Sequence, residues 1–174
     1  IGSISKTFTA VIIMQMIEEG KLKLNSKLKD YFKKIPNSEK ITIEQMLRHR
    51  SGLVNFTNQS DYREYMETPQ TRKDILKRIR KNGIEFEPGE KMSYSNTNYV
   101  LLSYIAEKKK KKDFSAILEE RIVRPCNLSN TAYGGKINVA GNEAKSYYWK
   151  DTWKPATETD MSIPTGAGAL ISTP

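Results

Sequence analysis

At 174 residues, 37% of them hydrophobic and 28% charged, the chain has room for one ordinary globular domain with its own core. No apolar run approaches the roughly eighteen residues of a membrane span, the lone Cys126 excludes an internal disulfide, and the lone His49 excludes a site built on two histidines. The net charge of +9 raises nucleic acid as a partner, but the lysines are spread along amphipathic stretches, and no aromatic interleaving offers bases a surface to stack on. No nucleic-acid partner is expected.

The chain opens without Met and directly on a helix, so it is expected to be an excised or processed piece. Ile4 to Glu19 reads as one helix, with a stripe of Ile4, Phe8, Val11, Met14 and Ile17 and with Ile12, Ile13 and Met16 on the other side. A helix apolar nearly all round belongs in an interior. Gly20 ends it. Lys21 to Leu24 is a short alternating piece, and Asn25 is expected to cap a brief turn leading to Tyr31 and Phe32. Thr42 and Gln45 form a capping box that opens a short helix through Ile43, Met46 and Leu47. His49, near its end, is assigned a structural role at the helix dipole, bonded to a backbone group.

A further turn of helix is expected over Asp61 to Met66. Thr71 with Asp74 starts another helix, carrying Ile75, Leu76 and Ile79 and ending at Asn82-Gly83. Phe86 to Glu90, with Pro88-Gly89, is a turn that delivers the chain into Tyr94-Ser95-Asn96. From Asn98 the helical period returns through Tyr99, Leu102 and Ile105 as far as the Lys108–Lys112 run, a solvated turn between helices. Asp113 is expected to cap the next helix, of Phe114, Ile117, Leu118 and Ile122, which Pro125 closes. Beyond Asn127, glycines, aromatics and weak periodicity predict loops with a small hairpin, then a glycine-rich stretch from Ser162 to Ala169. The last residues, Ser172 to Pro174, stand where a new helix would begin.

Two stretches carry chemistry. Ser3 and Lys6 lie one turn apart on a helix of buried character. A lysine there must be paired or lose its proton, and an amine without its proton is a base beside a candidate nucleophile. Tyr94 sits on a tight loop before a helix, where its phenol can reach a serine hydroxyl and share the work of a base. Asn96, two residues on, offers both a donor and an acceptor to an amide-bearing substrate.

In this order, about ninety residues apart, Ser3-x-x-Lys6 and Tyr94-x-Asn96 resemble the motifs of the serine β-lactamase and penicillin-binding protein family. The likeness is to its class C branch, with the related esterases and D-amino-acid peptidases. It extends through Ile1–Ala10, Gly20–Leu24, Leu47–Leu53, Phe86–Gly89, Ile122–Pro125 and Thr165–Leu170, and so covers essentially the whole chain. The resemblance implies Ser3 as the acylated nucleophile, Lys6 and Tyr94 as a joint proton-handling pair, and Asn96 as a contact to the substrate amide. It implies no metal and no cofactor.

The implied fold is mainly α: residues 1–174 as one helical subdomain of a β-lactamase-like α+β fold, truncated at both ends, with most of the α/β sandwich missing. The implied function is a serine acyl-hydrolase acting on a β-lactam, a D-amino-acid peptide or an ester, periplasmic or extracellular and membrane-anchored when full length. An inactive ligand-binding or peptidoglycan-binding relative is the alternative. The family's third motif, Lys or His followed by Ser or Thr and Gly, has no counterpart on a strand here; Arg50-Ser51-Gly52 has the letters but falls at a helix end. Cys126-Asn127 replaces the family's Leu-Gly, and Asn127 can take the left-handed conformation. Without the sandwich, the chain is expected to be inactive on its own and to self-associate through the face of the Ser3 helix, whose residues lose their cover.

Overall fold

In the computed structural model, which describes residues 1–173, helices dominate. A single 3-10 turn over Gly2–Ile4 leads straight into α1, Ser5–Glu18. The helix ends in a Schellman motif: Gly20 takes φ 69°, its N–H donates to Ile17 O, and Lys21 N–H donates to Met16 O. The α1 face turned inward is Ser5, Lys6, Thr9, Ile12, Ile13 and Met16. Each of its three large apolar side chains, fully removed from water, contributes about 1.5–3 kcal/mol.

The opposite stripe is the one left without cover. Ile4 is 61% exposed, Val11 48% and Met14 43%. One side of α1 was expected to lose its cover without the sandwich, and that side is the one of Ile4, Val11 and Met14, while Phe8 and Ile17 at its edges still pack partly on the core.

α2 (Ile43–Leu47) forms through the Thr42–Gln45 capping box, whose two reciprocal bonds are both made. α3 spans Tyr62–Tyr65 and α4 Arg72–Asn82, the latter with its own Thr71–Asp74 box and Gly83 at φ 74°. α5 (Asn96–Lys110) is the central helix, buried continuously from Thr97 to Ala106 and packed by α1, α2 and α6 (Phe114–Leu118).

Three local expectations are corrected. Asn25 does not cap the turn at Leu28–Asp30; Lys27 holds the cap position and its N–H donates to Asp30. Asp113 holds the N-cap position of α6 but makes no side-chain cap, and the half-buried Glu107 at the end of α5 accepts the first helical N–H, that of Phe114, at 2.9 Å. Beyond Leu118 the chain widens into a π-helical turn over Glu119–Val123, with Arg124 N–H reaching back to Glu119 O.

Strands are few. β1 (Ala132–Tyr133) pairs antiparallel with β4 (Leu170–Ile171), and β2 (Tyr147–Lys150) with β3 (Thr152–Pro155). The second pair is the expected hairpin, turning at Asp151. Asn127 does adopt φ 54° after the helix that ends near Pro125. Pro174 lies outside the described residues.

Candidate active site

Lys6 sits on the inward face of the first turn of α1 and is only 6% exposed. Its ammonium has two acceptors: Ala167 O at 2.6 Å and Ser3 Oγ at 3.1 Å. It also lies over the rings of Tyr94 and Tyr99, 4.9 and 5.8 Å from their centroids. Burial is the main cause that lowers its pKa from the ordinary 10.5, with Tyr94 opposing. A buried amine with a lowered pKa moves protons more readily than a surface lysine.

Ser3 and Tyr94 sit above it, open to solvent. Their oxygens are 2.6 Å apart. With Lys6 donating into Ser3 Oγ, the serine's own proton is free to point at Tyr94 Oη, since a hydroxyl has one donor and two acceptor positions. Tyr94 Oη also stands 3.4 Å from Asn96 Oδ1. The structure thus brings Ser3, Lys6, Tyr94 and Asn96 into one constellation, two from each motif.

Other residues support them that periodicity and motif spacing did not single out. Asn55, buried, accepts the Asn96 N–H at 3.1 Å and the Thr57 hydroxyl at 3.0 Å, while Thr57 Oγ1 accepts from Asn96 Nδ2 at 2.9 Å. Thr9 Oγ1 donates to Gly166 O at 2.7 Å, fixing the loop whose next carbonyl receives Lys6. These contacts join segments some forty or more residues apart, and nothing local in the sequence marks them. Ser51, from the Arg50-Ser51-Gly52 triplet, is buried and occupied structurally. Its hydroxyl donates to Asn98 Oδ1 at 2.5 Å and accepts from Leu53 N–H at 3.1 Å.

His49 belongs to this neighbourhood. It takes the left-handed position after α2, φ 54°, in a Schellman motif: His49 N–H donates to Met46 O and Arg50 N–H to Gln45 O. Its ring stacks on Tyr94 with centroids 4.6 Å apart and meets Tyr99 at 5.1 Å. Among the described residues no group of three or more His, Cys, Asp or Glu is arranged to hold a metal, and no helix is long and apolar enough to cross a membrane.

A serine and a buried lysine one turn apart, facing a loop tyrosine across a helical lobe, define part of a β-lactamase-like fold. The chain belongs to the beta-lactamase family, whose model matches residues 1–174. Among curated relatives it is 26% identical, over 175 residues, to the teichoic acid D-alanine hydrolase of Staphylococcus aureus, covering 100% of this chain and 42% of that one. Among solved structures it resembles a D-stereospecific amidohydrolase from a Streptomyces species, with TM-score 0.88 and 27% identity over 99% of this chain and 56% of that one. A second is the D-amino acid amidase of Ochrobactrum anthropi SV3 complexed with L-phenylalanine amide, with TM-score 0.85 and 28% identity over 100% of this chain and 51% of that one. The chain therefore spans about half the length of these relatives, which by name are hydrolases.

Proposed function

We propose that this chain is the helical part of a serine acyl-hydrolase, with Ser3 as nucleophile and Lys6 and Tyr94 as its shared proton acceptor and donor. The observation that carries this reading is the Ser3 hydroxyl held between Tyr94 Oη at 2.6 Å and Lys6 Nζ at 3.1 Å, the reach that nucleophile activation requires.

The chemistry follows from that geometry. Ser3 Oγ forms a bond to the substrate's carbonyl carbon as its proton passes to the Lys6–Tyr94 pair, which accepts it in the form that has lost one proton, as Lys6 amine or Tyr94 phenolate. The carbonyl π electrons move onto oxygen, where the Ser3 backbone N–H, in the first turn and without an intrahelical acceptor, is one available donor. When the tetrahedral intermediate collapses, the bond to the leaving amine or alkoxide breaks and the pair returns the proton to it. Water, deprotonated by the same pair, then attacks the acyl-enzyme and restores Ser3. Asn96, a donor and an acceptor beside Tyr94, is the contact to an amide of the substrate in this reading.

The names of the relatives favour an amide or ester of a D-amino acid as the substrate class, with β-lactams as acylating analogues. The teichoic acid named for the staphylococcal hydrolase favours action at the cell envelope, periplasmic or extracellular. Residues 1–174 alone are expected to turn over poorly: they match about half of the related domains, and loss of even one oxyanion donor costs on the order of a hundred- to a thousandfold.

The test is labelled penicillin added to the longer parent chain, read by mass at the Ser3 peptide, followed by turnover of D- against L-phenylalanine amide. Label at Ser3 with turnover supports the hydrolase. Label without turnover of any amide or ester supports the ligand-binding relative, and label on another residue removes Ser3 from its role.

A further inference from the structure

His49 touches each of three consecutive residues in the loop that carries Tyr94. Its carbonyl oxygen accepts the Ser93 N–H at 2.9 Å. Its ring stacks on Tyr94 at 4.6 Å and 30°. Its Nδ1 accepts the Ser95 N–H at 3.2 Å. Tyr94 is 46% exposed, and its other contacts, to Ser3, Asn96 and Lys6, are those of the site itself.

We propose that His49 is the positioning residue for Tyr94, clamping the loop at Ser93, Tyr94 and Ser95 so that Tyr94 Oη stays on the Ser3 hydroxyl. This rests on the reading of Ser3 and Tyr94 given above. The left-handed backbone at His49 is part of the device: it turns the carbonyl toward Ser93 while the ring reaches Tyr94 and Ser95. Histidine is among the few non-glycine side chains that favour that conformation.

The clamp has a required protonation state. A backbone N–H can donate only to an Nδ1 that carries no proton, so the imidazole must be neutral with its proton on Nε2. The charged and titratable groups facing it are the Lys6 ammonium from α1, the Tyr94 phenol on the loop and the Tyr99 phenol from α5; the Asn98 amide, 3.4 Å from Nδ1, is neutral. Burial and then the Lys6 charge lower its pKa below the usual 6.5, and the Ser95 N–H, which needs a bare Nδ1, favours the same neutral form. The clamp is therefore closed at neutral pH. It opens as acid places a proton on Nδ1 opposite the Ser95 N–H.

Two substitutions separate side chain from backbone. His49→Gly keeps the left-handed turn and the bond to Ser93 but loses the ring. His49→Asn keeps the turn and sets Oδ1 where Nδ1 stood, an acceptor that does not titrate. In the parent chain, Ser3 acylation by fluorescent penicillin should be about a hundredfold slower for His49→Gly, the scale of a catalytic group displaced by about 1 Å. His49→Asn should return to within about tenfold of wild type and lose the fall in rate on the acid side. In wild type, the imidazole nitrogen NMR spectrum should show Nδ1 unprotonated at neutral pH, a readout that does not depend on activity or on any variant folding.

His49→Gly acylating at the wild-type rate, His49→Asn as slow as His49→Gly, an acid limb that persists in His49→Asn, or a proton on Nδ1 would each overturn the clamp. None of these results bears on Ser3 itself. Label surviving in Ser3→Ala would overturn the nucleophile reading and leave the NMR result standing.

Discussion

Lys6 Nζ donates to the carbonyl oxygen of Ala167, 161 positions downstream, at 2.6 Å, shorter than its bond to Ser3 Oγ. The lysine is thus aimed by the glycine-rich loop as much as by its own helix. That loop passes close against α1 and α5. A Cβ on Gly166 would stand 2.5 Å from Thr9 Oγ1 and 2.8 Å from Ser103 Cβ. Gly166→Ala should overpack this contact, destabilise the chain by about 1–3 kcal/mol, and push the Ala167 carbonyl off Lys6. Urea unfolding of residues 1–174 measures the first effect. An unchanged midpoint would show that the loop yields without cost.

In the parent chain, Ser3→Ala should abolish covalent labelling by fluorescent penicillin. Lys6→Ala and Tyr94→Phe should each slow it by about a hundredfold or more, the scale of general acid–base assistance. Mass analysis of the Ser3 peptide distinguishes lost acylation from faster release. Two variants that label at the wild-type rate would leave the proton transfer to some other group.

Lys6 links activity to stability through pH. Its pKa in the folded chain lies below 10.5, so between the folded value and 10.5 the unfolded chain holds a proton that the folded chain lacks. Stability should therefore rise with pH across that window, approaching about 1.4 kcal/mol per pH unit at its steepest, and flatten below it where both states are protonated. Denaturant titrations of wild type and Lys6→Met at matched pH isolate the effect as their difference. A difference flat with pH up to 10.5 would mean that burial leaves this amine unperturbed.

The uncovered stripe of α1, with Ile4 61% exposed beside Val11 and Met14, is the kind of apolar surface that soluble monomers keep small. Residues 1–174 should form a dimer through it as concentration rises, with the +9 charge limiting further growth. Val11→Lys with Met14→Lys should restore a monomer. Light scattering across concentration checks both. A wild-type monomer that binds no hydrophobic dye would refute the surface's stickiness.

The local signals in the sequence were enough for the frame. Both capping boxes, the glycines after α1 and α4, the period of α5 and the hairpin after Asn127 are short-range choices, decided by a side chain or a φ angle within a few residues. The Ser3-x-x-Lys6 and Tyr94-x-Asn96 pairs were legible for the same reason, each being a spacing along the chain. Only the tertiary structure could decide which side of α1 faces inward, because a helix apolar nearly all round has no polar face to settle its orientation. It also decided that Glu107, and not the adjacent Asp113, serves α6, and that Asn55, Thr57, His49 and the Ala167 carbonyl gather around the Ser3–Tyr94 pair. Those partners depend on helix packing that closes long loops, and a hydrogen bond between segments so far apart leaves no period and no spacing for a sequence to display.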